Sequence, residues 1–337
     1  MIMHDRAARK GTIRMSEREA QSVRGGMTGV LFACCAVGAI TVGATLMFGL
    51  RRYPAVGATV PAIATEEYGK RLIAQTAELL GPHNSDPKMH YSGSGLNCGS
   101  CHLGTGTEPG TLTLLEATEH YPRVTARTAR MTSIEDRVNE CLTRSMNGRA
   151  LAANSPEMIA MASYIRSLGA RNAAMGASLR KANEPKGFKT PDRAADLKAG
   201  KQVFGDRCAV CHGPDGAGLL AAANPIHGYV FPPLWGPESF NDGAGMHRVL
   251  TAAKFIKARM PLGKADLTDD QTFDVAAYIN SQPRPHMDGL DGDFPDRKAK
   301  PVDASYGPWA DSFSPEQHQF GPFPPIEAYY KKLKKSK

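Results

Sequence analysis

Residues 25–50 form a run without a charged side chain, long enough to cross a hydrocarbon core as a helix. Beyond it the alternation of apolar and polar positions becomes helical and then repeats. One amphipathic pattern predicts a helix over residues 66–80, and a second predicts a helix over 155–168. The second opens Ser155-Pro-Glu and carries Met158, Met161, Ala162 and Ile165 at helical spacing. The same pair of patterns returns at 196–207 and at 267–281, the last opening on Leu267-Thr-Asp-Asp, an N-cap signature. Each half therefore reads as a helix, a cysteine motif, loops and a closing helix.

The stretches between and after these units have a different texture. Residues 171–193 are rich in Ala, Lys and Pro and suit an extended surface linker. From 284 to 337 the chain is rich in Pro, Gly and Asp, which predicts little regular structure and a solvated basic end. Six Lys or Arg (Arg6, Arg9, Lys10, Arg14, Arg18, Arg24) precede the apolar run against Arg51 and Arg52 just after it, so the positive-inside bias places the N-terminus in the cytoplasm and exports the rest. A cleaved signal peptide is the alternative, although its small-residue sites near Ala55 to Ala58 lie beyond two arginines.

Cysteine usage supplies the chemistry. Of seven cysteines, Cys34 and Cys35 lie in the apolar run, and four fall in Cys98-Gly-Ser-Cys101-His102 and Cys208-Ala-Val-Cys211-His212. Two thiols add to porphyrin vinyl groups while the following histidine places its imidazole on the iron, so both motifs predict covalently bound haem c, with His102 and His212 as proximal ligands. The two motifs lie 110 residues apart, enough for one domain each. Aromatics are only 7% of the chain, so two buried porphyrins would supply much of the apolar core.

The distal ligands separate the two halves. For the second haem, Arg259-Met260-Pro261 lies where a distal methionine is expected, with Met246 as its rival and Lys254 or Lys257 also within conceivable reach. The first half has no Met-Pro; its distal stretch holds Cys141, the one unassigned exported cysteine, together with Arg144, Ser145 and Met146. A thiolate lowers the haem potential and is a sulfur nucleophile once displaced, while Met146 is the alternative ligand. Arginines beside it would hold an oxyanion through bidentate hydrogen bonds, with the serine hydroxyl adding a donor. The net charge of +8 also favours an anionic substrate or an acidic redox partner, and the chain contains no nucleic-acid motif.

Residues 65–325 resemble the dihaem thiosulfate dehydrogenases of the tetrathionate-forming type. The resemblance rests on Asn97-Cys-Gly-Ser-Cys-His-Leu103, on Glu135-Asp-Arg-Val-Asn-Glu-Cys141 running into Arg144-Ser-Met-Asn-Gly-Arg149-Ala-Leu151, on Phe231-Pro-Pro-Leu-Trp-Gly236, on Asn241-Asp-Gly-Ala-Gly-Met246 and on Tyr306-Gly-Pro. It implies an all-α chain of two class I cytochrome c domains, His/Cys ligation at a catalytic first haem and His/Met ligation at an electron-transfer second haem. By motif position, Cys141 takes the thiolate-ligand role and Arg127 and Ser145 become substrate-pocket positions, with Arg144 beside them as a further candidate. The resulting division is a cytoplasmic segment at 1–26, a transmembrane anchor or signal at 27–50, the first cytochrome domain at 51–170, the linker at 171–193, the second at 194–283 and an irregular extension at 284–337.

The expected reaction couples two thiosulfates into tetrathionate and releases two electrons to an external redox partner, a cytochrome or a membrane acceptor. It would take place on the periplasmic side of the bacterial inner membrane. The anchor departs from the soluble periplasmic pattern associated with the family. A dihaem electron carrier, or a cytochrome subunit of a membrane dehydrogenase without substrate chemistry, is the alternative.

Overall fold

The computed structural model describes residues 64–175 and 187–335. The segments expected at 1–26 and 27–50, and the middle of the 171–193 linker, lie outside the described residues. Among the described residues no helix is long and apolar enough to cross a membrane.

Two helices start the first unit where one was expected. Helix α1 (Glu66–Ala74) and helix α2 (Thr76–Leu80) are broken at Gln75, whose φ of −126° and ψ of 37° leave the helical region. Side chains explain the break. The Asn97 amide oxygen accepts from the Ala77 N–H at 2.8 Å, and the Thr76 hydroxyl turns back to the Leu72 carbonyl at 2.7 Å. Both bonds take groups that a continuous helix would have used internally. They also place Thr76 against Cys98, its hydroxyl 3.3 Å from the sulfur.

The unit continues through helix α3 (Ala117–His120), a short antiparallel ladder of β1 (Arg123–Val124) with β2 (Met131–Thr132), and helix α4 (Ile134–Glu140). A π-helical turn at Cys141–Ser145 follows α4 directly. Helix α5 (Pro156–Ala174) closes the unit, capped by Ser155, but it runs past residue 170. The expected boundary at 170 and 171 therefore falls inside a helix.

The second unit repeats the plan with helix α6 (Leu197–Arg207), helix α7 (Ala209–His212), a ladder of β3 (Leu219–Leu220) with β4 (Tyr229–Phe231), helix α8 (Val249–Arg259) and helix α9 (Asp269–Asn280). Thr268 and Gln271 form a reciprocal capping box at the start of α9. Helices carry the fold, and the two short ladders are additions to the all-α reading.

The same close crossing builds both cores. Helix α1 lies on α5 so tightly that a Cβ on Gly69 would stand 2.0 Å from the Ala160 carbonyl oxygen. In the second unit α6 lies on α9, and a Cβ on Gly200 would stand 2.1 Å from the Asp274 carbonyl oxygen. Only glycine allows these backbone approaches. Around the first crossing Leu72, Leu80, Leu142, Met158 and Leu168 are buried; around the second, Phe204, Ala253 and Phe273.

The C-terminal extension corrects the expectation of an irregular, solvated tail. It forms helix α10 (Pro315–Phe320) and helix α11 (Pro324–Lys335), and it buries Phe323, Ile326 and Tyr330 in the second core. The Asp303 carboxylate caps α8 by accepting from the Leu250 N–H at 3.0 Å and pairs with Arg248 at 3.1 Å. The imidazole of His318 is buried, stacked on Trp309 at 4.4 Å between ring centres and 3.0 Å from Asp311. If the tail is core, Ile326→Val should lower the stability of the holoprotein by about 0.5–1.5 kcal/mol in denaturant titration, whereas a solvated tail would show no change.

Candidate functional site

The first haem motif is held by its neighbours. Cys98 opens a short 3-10 turn, and the His102 Nδ1–H donates to the Leu112 carbonyl at 2.7 Å. That bond fixes the ring and leaves Nε2 to face away from Leu112. Cys141 lies close enough to the His102 ring for the two side chains to interact. The structure thus joins two residues 39 positions apart that the sequence had matched only as proximal and distal candidates.

The position of Cys141 follows from its local helix. Ser133 and Asp136 cap α4 reciprocally, so the start of the helix is fixed. The chain then widens into the π turn, an arrangement frequent at functional sites. Burial pushes the Cys141 thiol up, but the Arg137 guanidinium one turn earlier and the contact with His102 outweigh it and bring the thiol down to about 7. Arg137, also paired with Glu140 at 3.0 Å, is thus the cation beside the sulfur. Sequence reasoning passed over it, although its spacing of four from Cys141 on a helix was a usable signal.

Arg127 and Arg144 come together, but around a carboxylate. Arg144 makes a bidentate pair with Asp293, Nη1 to Oδ2 at 2.9 Å and Nη2 to Oδ1 at 2.8 Å. Arg127 Nη1 donates to the same Oδ2 at 2.6 Å and to the Tyr306 hydroxyl at 3.1 Å. Tyr306 in turn donates to Asp293 Oδ2 at 2.7 Å. Phe294 adopts a φ of 57°, costly for a bulky side chain, and from there its N–H donates to the Arg127 carbonyl at 2.7 Å. Its ring lies 5.1 Å from the Arg127 guanidinium.

Asp293, Phe294 and Tyr306 all belong to the extension read as irregular. So does Lys300, a buried lysine whose ammonium sits 4.5 Å over the Tyr306 ring and donates to the Pro308 carbonyl at 3.2 Å. Burial, aided by Arg297 nearby, pushes its pKa down to about 8. Burial also pushes the Tyr306 phenol up to about 12, against the pull of Arg127. Several cations thus converge on one carboxylate, an arrangement suited to anions. Tyr306→Phe removes one donor to a buried carboxylate and should cost about 1.5–3 kcal/mol of stability, read by denaturant titration. Ser145 ends the π turn, half-buried, and its hydroxyl makes no hydrogen bond among the described residues.

The second motif is built in the same way. The His212 Nδ1–H donates to the Pro232 carbonyl at 2.8 Å, leaving Nε2 free, and Cys208 packs on the second core. Met260 ends α8, and both it and Met246 pack on that same core. Lys254 is exposed, and Lys257 is engaged elsewhere, its ammonium 2.9 Å from both the Leu267 carbonyl and Asp269. In each unit two thiols, one oriented imidazole and a sulfur-bearing side chain in the distal stretch form a donor set that suits a covalently held haem.

The halves also touch. Glu238 accepts from the Gly95 N–H at 3.0 Å, just before the first motif, and Arg259 reaches the Pro109 carbonyl and Glu108 on the loop after it.

Residues 90–173 match the family described as SoxA/TsdA, cytochrome c domain, and residues 197–283 match the cytochrome c family. The chain is 37% identical over 254 residues to a thiosulfate dehydrogenase of Allochromatium vinosum, covering 71% of this chain and 89% of that one. It is 40% identical over 210 residues to a thiosulfate dehydrogenase of Psychrobacter arcticus, covering 61% of this chain and 62% of the relative. A solved thiosulfate dehydrogenase (TsdBA) from Marichromatium purpuratum, in its as-isolated form, superposes with a TM-score of 0.58 at 35% identity, over 67% of this chain and 47% of that chain.

Proposed function

Because the chain belongs to the thiosulfate dehydrogenase family, we propose that it couples two thiosulfates into tetrathionate at its first cytochrome unit, passing two electrons through the second to an external acceptor. Two haems c, one on each Cys-x-x-Cys-His motif of a class I cytochrome c domain, would supply the one-electron acceptance. Cys98, Cys101 and His102 would hold the first, with Cys141 as distal ligand; Cys208, Cys211 and His212 would hold the second, with Met260.

The observation that carries the reading is the contact of Cys141 with His102 beside Arg137, within the stretch matching the SoxA/TsdA domain. A sulfur nucleophile set next to a fixed cation is equipped to meet a sulfur-containing dianion. The chain's own residues have two further tasks. Arg137, and Arg127 and Arg144 where a substrate anion competes with Asp293 for them, would reduce the repulsion between two dianions. Ser145, with its hydroxyl uncommitted, would donate to a sulfonate oxygen. Ser145 is placed here by motif position and by its seat on the π turn.

The export-side location rests on the charge-free run at 25–50 and its flanking arginines, read as an anchor or a cleaved signal. The acceptor is then a periplasmic cytochrome or a membrane component. The test uses the purified protein, shown to carry two haems per chain, with thiosulfate and an artificial one-electron acceptor. One tetrathionate should form per two acceptor molecules reduced, and acceptor reduction without tetrathionate, or no turnover, would overturn the reading.

A further inference from the structure

The Asn241-Asp-Gly-Ala-Gly-Met246 stretch, used so far as a mark of resemblance and for its Met246, has further contacts of its own. It lies in the second cytochrome unit, yet it is built onto the turn that bears Cys141. The last carbonyls of any helix lack intrahelical partners, and a π turn followed at once by Met146 and a left-handed Asn147 (φ 48°) has few ways to satisfy them. Asn241 supplies the partners. Its backbone N–H donates to the Arg144 carbonyl at 3.1 Å, and its side-chain Nδ2 donates to the Thr143 carbonyl at 2.9 Å and to Asn147 Oδ1 at 3.2 Å. Its Oδ1 accepts from the Gly243 N–H at 3.1 Å. The residue is 2% exposed, so each of these bonds is made away from water.

The rest of the loop makes the clamp rigid. Arg144 Nη1 donates to the Gly243 carbonyl at 3.1 Å, and a Cβ on Gly243 would stand 2.9 Å from that nitrogen. Towards the second core, the Asp242 N–H donates to the Pro285 carbonyl at 3.0 Å, and Asn280 donates to the Met246 carbonyl at 3.0 Å. A helix end in one cytochrome unit is therefore capped by an asparagine anchored in the other.

We propose that Asn241 is a positioning residue for Cys141, holding the π turn in the register that sets its sulfur opposite His102. The proposal rests on the reading of Cys141 as distal ligand. Without the side-chain Nδ2 donor, the Thr143 carbonyl and the Asn147 amide oxygen lose their partner, the Thr143 carbonyl relaxes towards an ordinary helical partner, and a change of one hydrogen-bond register rotates Cys141 away from the imidazole.

The experiment compares the wild-type dihaem protein with Asn241→Asp and Asn241→Ala by haem content, electron paramagnetic resonance and steady-state kinetics. Asn241→Asp is nearly isosteric and keeps the acceptor for Gly243 and the backbone N–H to Arg144 while removing both Nδ2 bonds, to Thr143 and to Asn147. It should retain two haems and the spectrum of the second haem, change the low-spin thiolate signal of the first, and lower kcat about tenfold or more with little change in KM. Asn241→Ala should do the same; should it fail to fold, the aspartate variant decides. An unaltered thiolate signal with unaltered kcat would overturn the proposal, as would equal disturbance of both haems, which would mark Asn241 as a general structural residue. A wild-type protein without any thiolate signal would instead overturn the ligand assignment of Cys141, so the two failures are distinguishable.

Discussion

Cys141→Gly should abolish thiosulfate oxidation while both haems stay attached. Attachment depends on Cys98, Cys101, Cys208 and Cys211, which the change leaves alone, and His102 keeps its bond to Leu112. What is lost is the sulfur beside His102, together with one of the two partners of Arg137, which keeps Glu140. Removing a single oriented donor from an active site costs about 10²–10³-fold in kcat; loss of the group that meets the substrate sulfur should exceed about 10³-fold. The check is tetrathionate formation against haem content in the same preparation. Retained turnover would sink the assignment.

A second substitution separates two roles that the glycine variant removes together. Cys141→Met keeps a soft sulfur in reach of the first haem but cannot form a thiolate. The first haem should remain low-spin with a raised potential, and turnover should still be lost. An active Cys141→Met protein would mean that ligation alone, and not the thiolate, is what the reaction needs. Within a helical run glycine costs about 1 kcal/mol relative to alanine, so Cys141→Ala serves as the control for backbone effects.

Parts of the site were legible in the sequence because they are local. Thr268 caps the helix that its N-cap signature marked, since a cap is decided within four residues. The Cys-x-x-Cys-His motifs carry their chemistry in five positions. The break at Gln75 was hidden because the group that takes the Ala77 N–H is Asn97, twenty residues on. Helices α10 and α11 were hidden by Pro and Gly, which interrupt the apolar spacing of Phe320, Phe323 and Ile326 before a periodic window can form. The capping asparagine of the π turn lies 98 residues from Thr143, and Asp293 lies 149 from Arg144. The family resemblance marked Arg127 and the stretch around Cys141 marked Arg144; only the tertiary fold shows the carboxylate that holds them.

That carboxylate carries the other large effect: Asp293→Ala should cost about 3–5 kcal/mol, a substantial share of the total for a protein of ordinary stability. The side chains of Asp293, Arg144 and Arg127 are 9%, 12% and 15% exposed, so the ion pairs are largely shielded from water. Removing the acid leaves two guanidinium groups facing each other near Lys300 and Arg297 with their common acceptor gone, and Tyr306 loses its acceptor as well. The loss should appear as a lowered midpoint in denaturant titration of the holoprotein. The freed arginines give the prediction a second arm. An anion that takes the place of Asp293 stabilises the folded state in proportion to its occupancy, so thiosulfate or sulfate should raise the midpoint of Asp293→Ala more than that of the wild type. If Asp293→Ala melts with the wild type and responds no more strongly to either anion, the network contributes neither stability nor charge balance. If the anions restore stability, Asp293 occupies a site that is anion-binding by construction and keeps Arg127 and Arg144 oriented when no substrate is there.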